Sequence, residues 1–194
     1  IETIHFDCKE IKGGWFREIP TLKSIEFGNT VETIGDRAFY NFPLNEIEFK
    51  FPESLLSIGS EAFANNKFST LTLPKQLKNI GSKAFYNCQL NEIEFPESLE
   101  SIGNKAFANN KFKVLTLPKC LKEVGEGAFF GCPIEKLYVN TAANINSTFS
   151  VDYLTDAVFG DDAVTIPRFS GARMLSNVVP PTKMEYLPAS AFSY

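Results

Sequence analysis

At 194 residues, with 44% hydrophobic and 22% charged residues, the chain has the makings of one ordered domain or one elongated array with a buried core. A formal net charge of −4 speaks against a nucleic-acid binder relying on a general basic field. No apolar run approaches the roughly 18 residues of a membrane-spanning helix, so no membrane insertion is expected.

In chain order, the first strand-like segment is Ile1-x-x-Ile4-x-Phe6. Next comes Ile11-Lys12-Gly13-Gly14-Trp15-Phe16, a degenerate form of a motif that then recurs, and after it Leu22-x-x-Ile25-x-Phe27. The motif is clear at Ile34-Gly35-Asp36-Arg37-Ala38-Phe39 and returns at Ile58-Gly59, Ile80-Gly81, Ile102-Gly103 and Val124-Gly125. Its phenylalanines stand at 39, 63, 85, 107 and 129, spaced 24, 22, 22 and 22. A fixed period of this size marks a stacked-repeat solenoid.

Each unit continues into a short apolar pattern: Leu44-x-x-Ile47-x-Phe49, Phe68-x-x-Leu71-x-Leu73, Leu90-x-x-Ile93-x-Phe95, Phe112-x-x-Leu115-x-Leu117 and Ile134-x-x-Leu137-x-Val139. Alternation at the end of the pattern is that of a half-buried strand. Pro52, Pro74, Pro96 and Pro118 then stop the ladder, because proline has no N–H to donate. The 24-residue spacing reads as a two-residue loop insertion, Lys50-Phe51, before Pro52. Leu55, Leu77, Leu99 and Leu121 follow as a second core layer.

The motif glycine suits a backbone with φ above zero or a close approach between units. Asp36, Ser60, Ser82 and Asn104 come next and are good N-cap residues, so a single capped helical turn is expected through each Ala-Phe, closed by Asn41, Asn65, Asn87 or Asn109. One unit cannot bury its apolar face alone; stacking makes the core continuous. The four cysteines form no CxxC pair. Cys88 and Cys132 share a repeat position two units apart, roughly 10 Å at strand spacing and beyond disulfide reach. Free thiols are expected.

The run Phe95-Pro96-Glu97-Ser98-Leu99-Glu100-Ser101-Ile102-Gly103-Asn104-Lys105-Ala106-Phe107-Ala108-Asn109 resembles the BspA-like class of leucine-rich repeats. It departs from the commoner leucine-rich repeat, which carries Asn or Cys after its Leu-x-Leu strand where proline stands here. The resemblance spans about residues 1–139. It implies a leucine-rich-repeat solenoid with short parallel strands on the concave face and turns or short helical turns on the convex side. It also implies a surface-exposed or secreted protein, since members occur on host-associated bacteria and some mucosal protists and are linked with adhesion to host proteins. It supplies no catalytic residues.

On each strand the residues between the inward pair project outward. One column reads His5, Glu26, Glu48, Thr72, Glu94, Thr116, Tyr138; its neighbour reads Thr3, Ser24, Glu46, Thr70, Glu92, Val114, Lys136. The functional reading is a docking face for a basic or hydroxyl-rich protein, such as an extracellular-matrix component, with Tyr138 as aromatic anchor. Its candidate residues are Glu26, Glu46, Glu48, Thr70, Thr72, Glu92, Glu94, Thr116, Lys136 and Tyr138. The structural reading is a solvated sheet face on which threonines separate glutamates, leaving Glu26 beside Glu48 as an unexplained like-charge pair. The residues after the prolines (Glu53, Lys75, Glu97, Lys119) alternate in sign and are expected to fix register.

A single histidine, His5, leaves little for nucleophilic catalysis, and no Cys/His cluster has zinc-ligand spacing. No enzyme, cofactor or metal is expected. After Val139 the pattern weakens: 140–194 reads as degenerate repeats or a C-terminal cap, with repeats favoured because Phe129 to Phe192 spans 63 residues, close to three units. Val158-Phe159 followed by Val164-Thr165-Ile166-Pro167 reads as a shortened Ala-Phe-to-strand-Pro order, and Leu187 to Phe192 as a last motif copy. Asn146-Ser147-Thr148 is a glycosylation sequon, relevant in a eukaryotic secretory pathway. A protein-interaction scaffold is the primary reading, and a spacer that holds another domain away from a surface is the alternative.

Overall fold

A computed structural model describes residues 2–15, 22–42, 48–68, 71–184 and 191–192, with backbone only at 48 and 49. Phe16, Leu44, Ile47 and 187–190 of the expected pattern lie outside the described residues. Among those described there are thirteen short strands and no helix. All pair in parallel, which makes the molecule a solenoid of the leucine-rich-repeat kind.

Each unit contributes to two faces, not one. The Ile-Gly motif, expected only as a bend, is itself a strand. β2 (Glu10–Ile11), β4 (Thr33–Ile34), β6 (Ser57–Ile58), β7 (Asn79–Ile80), β8 (Ser101–Ile102) and β10 (Glu123–Val124) form one unbroken six-stranded ladder. The Leu-x-x-Ile-x-Phe segments form the second face in two pieces. β1 (Thr3–Phe6), β3 (Ser24–Phe27) and β5 (Glu48–Phe49) make a three-stranded sheet. β9 (Val114–Leu117), β11 (Lys136–Val139), β12 (Asp156–Phe159) and β13 (Asn177–Val179) make a four-stranded one.

Between the two faces runs a column of phenylalanines. Phe39, Phe63, Phe85, Phe107 and Phe129 are buried and stack ring on ring at 5.2, 5.3, 5.3 and 5.6 Å, within 13° of parallel. Phe68, Phe95 and Phe112 meet this column edge-on. Burying one such ring contributes on the order of 2–3 kcal/mol. Leu55, Leu77, Leu99 and Leu121 form the expected second layer, all buried.

The motif glycine is required by close approach. An added Cβ on Gly81 would stand 2.6 Å from the carbonyl carbon of Gly59 in the preceding unit. Positive φ falls two residues later, at Arg37, Glu61, Lys83 and Lys105 (54–55°), and again at the closing Asn41, Asn65, Asn87 and Asn109 (53–61°). Asparagine tolerates that region. The charged residues are held there by inter-unit bonds: Arg37 N–H donates to the Ser60 carbonyl at 2.8 Å, as Lys83 does to Asn104 at 2.9 Å.

The N-cap expectation is corrected in the same way. Asp36 Oδ1 accepts from the Ser60 amide at 2.6 Å and Asn104 Oδ1 from the Glu126 amide at 2.9 Å. Both side chains serve the next unit, because with no helix there are no helical amides to cap.

One interior position alternates along the stack as Asn66, Cys88, Asn110, Cys132, all buried. Asn110 bridges units completely: its Nδ2 donates to the Phe85 and Phe107 carbonyls at 2.8 Å, and its Oδ1 accepts from the Cys88 and Leu90 amides. Asn66 makes the equivalent donations, to Phe39 and Phe63, but its buried Oδ1 has no donor among the described residues. Cys88 and Cys132 donate their thiols to Phe63 and Phe107 carbonyls. Burial pushes the Cys88 thiol up to about 12 and Cys132 to about 11. All four cysteines are unbridged.

Past Val139 the second face continues, with β12 in register on β11 (Tyr138↔Val158, Val139↔Phe159) and β13 on β12. Val158-Phe159 therefore stands at the strand position and not at the Ala-Phe position. Residues 164–166 are not a strand among those described. The Ala-Phe role falls to Phe149, which bridges Phe129, and to Phe169, which stacks on Phe192 at 5.6 Å. The units here shorten to 20 residues from Phe129 to Phe149 and from Phe149 to Phe169, so a search at 22 overshoots each copy by a further two residues.

Candidate functional site

The second face presents its side chains as the alternation requires. On β9 and β11, Leu115, Leu117, Leu137 and Val139 are buried while Val114, Thr116, Lys136 and Tyr138 are exposed. Register sets Thr116, Tyr138 and Val158 side by side, with Val114, Lys136 and Asp156 in the adjacent column. Tyr138 keeps 37% of its surface exposed between Thr116 and Val158. The Asp156 carboxyl is held below its usual range by hydrogen bonds from Thr155 and Asn177 and by the charge of Lys136.

At the other end the expected columns need one correction. β5 pairs with β3 as Ser24↔Glu48 and Ile25↔Phe49, so Glu48 stands across from Ser24 and not Glu26. Phe51, read from sequence as part of a loop insertion, is buried and stacks on Phe27 with ring centres 6.4 Å apart. Its place immediately before Pro52 matches Leu73 before Pro74 and Phe95 before Pro96. The two extra residues therefore lie upstream of Glu48, and the signal was legible by counting back from the proline. Extending the register by one residue places exposed Lys50 opposite Glu26, and the like-charge pair disappears. Glu26 lies 3.3 Å from His5 Nδ1. Glu46 and Thr70 lie outside the described residues, and of Glu48 only the backbone is described.

Between the two pieces of the face are the segments 71–73 and 92–95. Thr72, Glu92 and Glu94 are exposed, and Leu71, Ile93 and Phe95 are half-buried. A cleft of about 620 Å³ opens here, lined by Leu71, Thr72, Leu73, Lys75, Glu92, Ile93, Glu94, Phe95 and Pro96. The structure thus brings Thr72, Glu92 and Glu94 to one site, and Thr116, Lys136 and Tyr138 to a second surface on the adjoining sheet.

Register along the stack is held by ion pairs other than those expected. None of the ion pairs among the described residues joins Glu53, Lys75, Glu97 and Lys119 to one another, and Lys119 pairs with Asp162 at 3.1 Å. The inter-unit rungs are Lys23–Glu2, Lys9–Glu32, Arg37–Glu61, Lys113–Glu135 and Lys122–Glu100, at 2.6–3.3 Å. Lys122 holds the Glu100 carboxyl below its usual range. These are exposed pairs that orient more than they stabilise.

The two parallel faces, the phenylalanine column and the proline-ended strand define a leucine-rich-repeat solenoid. The BspA type leucine rich repeat region, in six copies, matches residues 1–88, 47–165 and 78–194, and the chain belongs to that family. No curated protein matches the sequence. Among solved structures, a leucine rich cell surface protein from Faecalibacterium prausnitzii is similar at 16% identity and a TM-score of 0.54, over 93% of this chain and 70% of that one. A leucine-rich repeat protein from Bacteroides ovatus is 21% identical with a TM-score of 0.43, over 92% of this chain and 60% of that one. The pneumococcal vaccine antigen PcpA is 19% identical with a TM-score of 0.46, over 93% of this chain and 71% of that one. At these identities the first likeness speaks to fold alone.

Proposed function

We propose that the chain is a protein-recognition scaffold of a cell surface, binding a partner protein through the outward columns of its second face. The observation that supports this is the in-register display of outward side chains over buried inward ones: exposed Thr116 and Tyr138 with half-buried Val158 in one column, exposed Val114 and Lys136 with half-buried Asp156 in the next. Recognition on such a frame needs no motion, since the buried leucines and phenylalanines fix each strand. Tyr138 is the aromatic anchor that binding hot spots favour. The acidic candidates Glu26, Glu92 and Glu94, with Glu46 and Glu48, suit a basic or hydroxyl-rich partner such as a matrix protein. A surface location accords with the family and with the cell-surface protein of similar fold.

The test is capture from a panel of purified extracellular-matrix and host-cell surface proteins, followed by Glu92→Lys and Tyr138→Ala. Either substitution should weaken capture by tenfold or more at an unchanged melting temperature, in line with hot-spot truncations of about 2 kcal/mol. Capture untouched by both moves the site off this face. A panel that yields no partner favours the spacer.

A further inference from the structure

The second face is interrupted where the rest of the molecule is most regular. Among the described residues, no backbone hydrogen bond is made by any residue of 71–73 or 91–95, with each other or with neighbouring units. The same turns are closed everywhere else. Phe63 and Phe85 stack at 5.3 Å and 3°, Phe85 and Phe107 at 5.3 Å and 11°, and β6, β7 and β8 pair in register. The pairing runs up to the edge of the opening, at Phe68 N–H to the Cys88 carbonyl and Lys111 N–H to the Leu90 carbonyl. Only the strand face parts.

Two walls of backbone whose donors and acceptors make no backbone hydrogen bond among the described residues offer the chemistry of an open sheet edge, which an added strand satisfies. The cleft between them, about 620 Å³, is in the size range of ligand-binding clefts. Its side chains alternate as a strand-binding groove requires. Leu71, Leu73, Ile93 and Phe95 are turned toward the core, and Thr72, Glu92 and Glu94 stand exposed along the walls. Two carboxylates against the single Lys75 set the sign of the preferred ligand.

We infer that this cleft is a strand-addition site, taking an extended peptide segment of a partner protein that carries a basic side chain. The peptide backbone pairs with the unused groups of 71–73 and 92–95. Its basic side chain meets Glu92 and Glu94, and alternate residues face the apolar floor. This deepens the recognition reading by naming what the middle of the face binds, and it rests on that reading.

The experiment is amide hydrogen exchange read by NMR on the intact chain. The probe is an acetylated, amidated pentapeptide library, X-Lys-X-Lys-X, with X drawn from Thr, Val and Ser. In the unliganded protein the amides of Thr72, Ile93, Glu94 and Phe95 should exchange at least tenfold faster than those of Leu115 and Leu137. The library should slow them by tenfold or more, and backbone N-methylated peptides should not. Glu92→Gln with Glu94→Gln, both at exposed positions, should weaken binding by up to about fivefold per carboxylate. Amides already protected without peptide, no slowing at millimolar library, or equal slowing by the N-methylated peptides would each overturn the site. A partner captured through Tyr138 while these amides stay fast would sink the cleft and leave the recognition face standing.

Discussion

The two ladders are built from the same units and stacked at the same pitch, yet one is continuous and the other is split. The Ile-Gly ladder runs through six strands without a gap. At each step a glycine lies against the backbone of the unit before, as Gly81 does against Gly59, and there is no side chain to vary. The second ladder carries the variable residues, takes its two-residue insertion upstream of Glu48 and parts at 71–73 and 92–95. The division of labour is physical: contact that fills space on one face frees the other from holding the stack together.

Cutting into the continuous side should therefore do the most harm. Phe85→Ala opens a cavity between Phe63 and Phe107, and urea denaturation should show a loss of about 3–5 kcal/mol. Next comes Asn110→Ala, which strands the amides of Cys88 and Leu90 and the Phe85 carbonyl, while the Phe107 carbonyl keeps the Cys132 thiol; about 2–3 kcal/mol is expected. Asn66→Ala should cost about 1 kcal/mol less in the same measurement, because among the described residues its Oδ1 serves no donor. Equal costs would mean that the Asn66 Oδ1 is as well satisfied as that of Asn110.

Gly81→Ala drives a methyl into Gly59 and should cost about 1–3 kcal/mol, whereas Thr72→Ala on the split face should fall within about 0.5 kcal/mol of zero. A Thr72→Ala loss as large as that of Gly81→Ala would erase the distinction between the faces.

The thiols sharpen the comparison at smaller scale. Cys88 and Cys132, inside the stack, should resist maleimide at pH 8 until the chain unfolds, while exposed Cys120 labels at once. Between the usual thiol value of 9.0 and the folded values of about 12 and 11, the native state keeps protons that the unfolded chain loses. That contribution to stability is complete below pH 9 and is lost as pH rises through the folded values. Mutating both to alanine should flatten this alkaline decline in denaturant midpoint.

Most of the frame was legible from residues alone, because close stacking leaves a record in composition. A side chain that must meet its copy one unit away can be only Phe, only Gly or only Leu, so period, core and proline stops are written as repeated letters. The closing asparagines were visible for the same reason, though as ends of a turn and not as positions of positive φ. Counting back from each proline would also have placed Phe51 inward and Glu48 beside Ser24. What no repeat could disclose is where a side chain's bonds go. Asp36 and Asn104 have the chemistry of helix caps, and only the neighbouring unit decided that their oxygens serve Ser60 and Glu126. Nor does the strand pattern of Leu71, Leu73, Ile93 and Phe95 differ from that of Leu115 and Leu117, although the former are unpaired and the latter are not. Alternation specifies which side chains are buried; hydrogen bonding between strands depends on how neighbouring turns are spaced and oriented, and that belongs to the assembled stack.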